Sequence, residues 1–211
     1  MAGRNGKGSE ALWLEAAYRA LVEGGIEAVR VAPLSDTLGL SRTSFYGHFA
    51  SREVLLSRLL ERWRDKNTGN LVARCEAYAE TLPEALFNLF DCWLDPGLFD
   101  ARLDRAVRNW ALIDPSILPS IENADQTRIR AVTAMFARFG EAEDMARVRA
   151  AALYYTQIGY IAMMVSEPVS LRMRRMPLYI EVFSGRRPTE AELARFTARH
   201  GVAVGDVSAP V

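Results

Sequence analysis

The residues of this chain best equipped to do chemistry lie between positions 31 and 56: Arg42, Thr43, Ser44, Tyr46 and His48, followed by Ser51, Arg52 and Glu53. They bring guanidinium, hydroxyl and imidazole groups, with neither a nucleophile and base pattern nor a metal-ligand spacing around them, so their chemistry is hydrogen-bonded recognition of a polar surface. Phe45 and Phe49 stand four apart, which puts both rings on one face of a helix. With those rings turned inward, Arg42, Thr43, Tyr46 and Gly47 are left outside. A short helix with small, donor-bearing outer residues can enter a major groove and reach base edges.

Positioning such a helix takes a two-helix corner, which needs a residue tolerant of positive φ at its turn and apolar neighbours to lock the crossing. Gly39 with Leu40 and Phe45 meets both needs. Upstream, Trp13, Ala17 and Leu21, flanked by Leu14 and Tyr18, mark the apolar face of a first helix that Gly24 and Gly25 stop. Pro33 opens a second short helix carrying Leu34 and Leu38 inward. Ser41 is the N-cap expected for a third helix over 42–49. Ser51 caps a fourth, with Val54, Leu55, Leu59 and Trp63 on its stripe and its pattern fading near Asn67 and Gly69. The boundary between two domains is therefore expected at 66/67, with residues 1–9 a flexible arm and the tail after Gly201 frayed.

The remaining pattern is also helical: 83–94, closed by Asp95-Pro96-Gly97; 100–113, stopped by Asp114-Pro115; 126–139 and 142–165, parted by Gly140; then 171–183 and 189–199, with Thr189 and Glu192 at capping-box spacing. No sustained two-residue alternation occurs, and the fold class is all-α.

The stretch Gly39-Leu40-Ser41-Arg42-Thr43-Ser44-Phe45-Tyr46-Gly47-His48-Phe49-Ala50-Ser51-Arg52-Glu53 resembles the tetracycline-repressor (TetR/AcrR) family of bacterial regulators. The family pattern there runs Gly-Val-Ser, a small pair, an apolar residue, Tyr, an aromatic, His-Phe and Ser-Lys-Glu. The likeness covers about the first third of the chain, and the rest agrees in length and helical character. The resemblance implies an N-terminal three-helix helix-turn-helix domain with a C-terminal helical effector and dimerisation domain. It puts Arg42, Thr43 and Ser44 at base-reading places and Tyr46, His48 and Arg52 at phosphate-contacting ones. Thr43 departs from a frequent Gly or Pro, and Gly47 from a common aromatic, at a cost of about 1 kcal/mol of helix propensity. Arg4 and Lys7 can reach a minor groove as an arm.

Composition supports local recognition and excludes much else. Lys plus Arg and Asp plus Glu both number 26, so whole-chain charge carries no sign of nucleic acid and the argument rests on Arg42, Arg52, Arg58, Arg62, Arg64 and Lys66 against Glu53, Glu61 and Asp65. Only His48 and His200 occur, which removes His-based zinc sites and paired Glu-x-x-His iron sites, and no GxSxG, P-loop or GxGxxG pattern is present. An enzyme is not expected, nor a cofactor. Cys75 and Cys92 fall in separate apolar segments with no CxxC, as packed thiols of a reducing compartment do. No apolar h-region follows Arg4 and Lys7, and the longest apolar stretch, 150–165, is shorter than a membrane span and broken by Thr156 and Gln157, so a cytoplasmic protein without membrane partners is expected.

In the C-terminal half, Phe87, Phe90, Trp93, Asn109, Trp110, Phe136 and Tyr155 are candidates for an apolar pocket that takes a small-molecule effector, with Gln157 another orienting polar group. The family's usual arrangement makes Ala151, Ala152, Ile158, Gly159, Ala162 and Met163 candidates for a homodimer interface, together with 171–183. The function implied is a repressor held on a palindromic double-stranded operator and released by a small apolar ligand. The competing reading is a helical interaction or ligand-sequestering protein whose helix-turn-helix is vestigial, with Gly47 in its favour.

Overall fold

The computed structural model describes residues 8–201. Arg4 and Lys7, and the tail from 202, lie outside the described residues. Among those described, the regular elements are helical: α1 (Glu10–Gly24), α2 (Val31–Leu38), α3 (Arg42–Tyr46), α4 (Arg52–Trp63), α5 (Asn70–Glu76), α6 (Leu82–Leu94), α7 (Ala101–Ile113), α8 (Leu118–Arg138), α9 (Glu143–Ala162), α10 (Val169–Ser184) and α11 (Glu190–Arg199). None is long and apolar enough to cross a membrane.

The contacts divide the chain into two compact units, residues 1–66 with 100–123, and residues 67–99 with 124–211. A single break at 66/67 therefore does not describe the contacts: α7 groups with the N-terminal helices. The reason lies in buried polar pairing. Asp104 of α7 accepts a hydrogen bond from the Trp63 indole Nε1 of α4 at 2.8 Å, and Asp100, the N-cap of α7, accepts from the Tyr18 hydroxyl of α1 at 2.7 Å. Burial, then the bond to Asp100, pushes the Tyr18 phenol up to about 12.

In the first unit Trp13, Leu21, Phe45, Phe49, Leu55 and Leu59 are all buried. The Trp13 and Phe45 rings meet edge to face at 5.3 Å and Phe45 stacks on Phe49 at 5.5 Å, geometries in which aromatic pairs attract beyond their area burial. Val54, expected on the α4 stripe, is instead exposed, and Leu56 takes the buried place, because the buried set 55, 56, 59 and 63 follows the 3.6-residue period more closely.

The helical path of α4 does not fade at Asn67. It passes through a wider π-type turn, Arg64–Gly69, into α5. Asn67 within that turn is wholly buried, as are Leu71 and Cys75 beyond it. A π turn absorbs an extra residue without breaking the helix, so the polar run that reads as a linker is itself helical.

The second unit is built around α6, whose residues are buried almost all round, as befits a central helix. Phe87 of α6 stacks on Phe196 of α11 at 4.3 Å. The capping box at Thr189 and Glu192 forms, and the Glu192 carboxylate also accepts from Thr81 at the N-cap of α6. Cys75 and Cys92 are buried free thiols, and burial pushes both up, Cys92 to about 12.

Candidate nucleic-acid interface

The recognition element is short and firmly held. Gly39 ends α2 in the left-handed region, φ 63°, and the next amide, Leu40 N, returns to Ser35 O at 3.0 Å, a C-cap closure that glycine adopts without Cβ strain. The Ser41 hydroxyl then caps α3 by accepting from Ser44 N at 3.1 Å, and the Ser51 hydroxyl caps α4 by accepting from Val54 N at 3.4 Å. Where the sequence suggests a helix through 49, α3 stops at Tyr46 with Gly47 as C-cap. Glycine's low helix propensity favours an end at that position, and Gly47 and His48 form the turn that follows.

This arrangement buries Phe45 and leaves Arg42, Thr43, Tyr46, Gly47 and His48 exposed, with Ser44 half-buried. Tyr46 keeps 59% of its surface in solvent although its ring lies edge-on to Phe45 at 5.2 Å. Among the described residues Arg42 has no carboxylate within ion-pair distance, whereas Arg58 is bound to Glu10 and Glu61, and Arg62 to Glu15. The charge of Arg58 and Arg62 is thus answered within the fold, and Arg42 is the cation that the outer face of α3 presents.

Arg52 stands differently from the phosphate-facing place that the resemblance gives it. Its Nε donates to Val29 O at 2.5 Å and one terminal nitrogen to Ile26 O at 3.0 Å. Those carbonyls belong to the turn between α1 and α2, so Arg52 ties the start of α4 to that turn with two of its five N–H groups. Gly8 was missed altogether by sequence reasoning. A Cβ there would sit 2.6 Å from Leu40 Cδ1 and 3.3 Å from Ser44 Oγ, so the chain entering α1 passes against α3. No periodicity signals such a tertiary crossing.

Residues 14–59 match the family model of bacterial regulatory proteins, tetR family. The chain carries a tetR-type regulatory domain over those residues. It is a DNA-binding transcriptional regulator with a helix-turn-helix. No curated protein matches it in sequence. Similar solved structures include a transcriptional regulator from Rhodococcus sp. RHA1 at 19% identity and TM-score 0.57, covering 96% of this chain and 100% of that one. AmtR of Mycobacterium smegmatis has 19% identity and TM-score 0.53 over 96% and 99%. A regulator assigned to the TetR family from Mesorhizobium loti has 16% identity and TM-score 0.55 over 90% and 95%. At such identities the likeness is one of fold.

The expected effector residues do not all line one cavity. Phe87 and Phe136 are packed in the core of the second unit, Tyr155 is 63% exposed, and Asn109 and Trp110 belong to α7 in the first unit, Asn109 exposed and Trp110 buried. A mainly apolar cavity does lie within the second unit, and of the seven it keeps only Phe90 and Trp93, which it joins with Gln157, Tyr160, Arg172 and Phe183, among others. Aromatic content marked the region, but which rings fill the core and which line a void is set by packing. Arg172 and Glu167, also in the lining, were missed because they flank Pro168 and the start of α10, where sequence shows only a helix break.

Of the six candidate interface residues, Ala152, Ala162 and Met163 are exposed and Ala151, Ile158 and Gly159 are half-buried. Met145, Val148 and Tyr155 extend the exposed set along α9 at spacings of three and four, and Leu178 and Val182 are exposed on α10.

Proposed function

We propose that this regulator is a repressor that binds an inverted-repeat operator as a homodimer and leaves it when a small, largely apolar ligand occupies the second unit. What carries the DNA half is the outer face of α3, where Arg42, without a carboxylate partner among the described residues, stands beside Thr43 and Tyr46 on a helix locked by Phe45. Arg42, Thr43 and Ser44 read base edges. Tyr46 and His48 meet phosphate, and Arg52 positions the recognition corner and turns its remaining N–H groups to phosphate. A helix of five residues spans too few base pairs for useful specificity alone, so a dyad with two such helices is required.

Selection from a random duplex pool tests this reading. The expected product is an inverted repeat, bound with affinity that falls steeply as salt rises. On that site Arg42→Ala is expected to relax preference at one base pair by about 1 to 3 kcal/mol, whereas Tyr46→Phe weakens all duplexes alike. A recovered site without a dyad, or unchanged preference in Arg42→Ala, overturns it.

The dimer half rests on the exposed apolar row of α9. Val148 is 64% and Met163 76% exposed, and a monomer seldom leaves so continuous an apolar strip in water. Val148→Glu is expected to shift the protein from dimer to monomer in sedimentation at micromolar concentration, with its helical circular dichroism intact. Operator binding falls with it, since a lone recognition helix remains. A dimer that survives the charge places the interface elsewhere. Ligand release is then a linkage: the ligand lowers operator affinity by the factor by which operator lowers ligand affinity.

A further inference from the structure

The cavity of the second unit is not uniformly apolar. Phe90, Trp93, Met176 and Phe183 line it together with Glu167 and Arg172. Glu167 is already answered: one carboxylate oxygen lies 2.6 Å from an Arg175 guanidinium nitrogen and the other accepts from the Tyr160 hydroxyl at 3.1 Å. Arg172 is not. One of its terminal nitrogens donates to the Trp93 carbonyl at 2.7 Å and its guanidinium lies 5.5 Å from the centre of the Tyr160 ring, with no carboxylate in ion-pair range among the described residues. Two guanidinium groups thus stand against one carboxylate. A second observation points the same way: Trp93, only 8% exposed, keeps its indole Nε1 buried without an acceptor.

An apolar guest that closed this cavity over Arg172 would take the guanidinium further out of water with no counter-charge, which is costly. It would leave the indole N–H unsatisfied as well. Both penalties vanish if the guest carries an anionic acceptor at one end of an apolar body. The geometry points to a small apolar carboxylate as the ligand class of this cavity: its carboxylate pairs with Arg172 and takes the Trp93 N–H, and its alkyl or aryl body lies among Phe90, Met176 and Phe183. Burial already raises the Tyr160 phenol, with Arg172 opposing that rise.

This assignment rests on the effector reading above, and the test separates the two. Octanoate, octanamide, octylammonium, phenylpropanoate and phenylpropanamide are titrated into the full-length protein by calorimetry, and each is then added to the protein on its selected operator. Both carboxylates are expected to bind at least about tenfold more tightly than their amides, the worth of one charged hydrogen-bonded pair, and to lower operator affinity. Octylammonium is expected not to bind. Arg172→Gln should bring the acid-to-amide ratio close to one while amide affinity and helical content hold, and Arg172→Lys should restore part of the preference. If acids and amides bind alike and both release DNA, the carboxylate class is wrong and the effector reading stands. The class is equally wrong if Arg172→Gln keeps the preference. If none of the five binds while operator binding is normal, the carboxylate class and the effector role of this cavity fall together, and the DNA-binding function is untouched.

Discussion

Phe45→Ala is expected to cost about 3 to 5 kcal/mol of stability, the range for removing a fully buried aromatic ring. Phe45 has no exposed surface, and its ring touches Trp13 and Phe49 at centroid distances of 5.3 and 5.5 Å. Domains of this size commonly hold about 5 to 15 kcal/mol in all, so the loss takes a large share of what keeps the recognition corner folded. Urea unfolding followed by tryptophan fluorescence measures the cost, since Trp13 lies in contact with the deleted ring. Operator affinity should fall for every duplex together, unlike the position-specific change expected of Arg42→Ala. A loss under about 1 kcal/mol with binding retained would show that α3 is held by its caps and neighbours without this ring.

Asp104→Ala is expected to have an effect of similar size by another route. The Asp104 carboxylate is fully buried in the first unit and accepts from the Trp63 indole at 2.8 Å and from Arg108 Nε at 2.9 Å. Removing it takes the acceptor from a buried N–H and the counter-charge from a guanidinium with 23% of its side chain exposed. Breaking one side of a buried pair commonly costs about 3 to 5 kcal/mol, more than the pair adds net. Asp104→Asn keeps an acceptor for the indole and should lose less. Equal melting temperatures for Asp104→Ala and the parent would mean that the bond from Trp63 to Asp104 adds nothing to the joining of α7 and α4.

Much of the helical outline is legible in the chain because it depends on neighbours in sequence. Ser41, Ser51 and Thr189 cap helices where they stand, Gly39 and Gly25 stop them, and the four-residue spacing of Phe45 and Phe49 puts both rings inside. These are local preferences, decided by backbone geometry and by which face of a single helix is apolar. Exposure of Arg42, Thr43 and Tyr46 follows from the same period. What local rules could not reach are features decided by partners distant in the chain. Arg52 has the composition of a phosphate ligand, yet two of its five N–H donors go to carbonyls 23 and 26 residues earlier. Asp104 and Asp100 read as ordinary charges of an amphipathic helix until Trp63 and Tyr18 meet them and draw α7 into the first unit.

The same limit explains the cavity. Phe87, Phe90, Trp93 and Phe136 are alike to any hydropathy pattern, but Phe87 has Phe196 to stack on while Phe90 and Trp93 border unfilled space. A void is a property of what several helices fail to fill, and no one helix records it. By itself the sequence determined an all-helical chain with a capped, aromatic-locked recognition corner of tetR type, since each of those rests on contacts within a few residues. Tertiary structure decided that Arg52 braces the corner, that α7 sides with the N-terminal helices, and that Arg172 stands in an apolar cavity beside a carboxylate already paired with Arg175. In each of these a charged or hydrogen-bonding group is committed by long-range packing, and the energy that commits it comes from desolvation, which only the folded chain imposes.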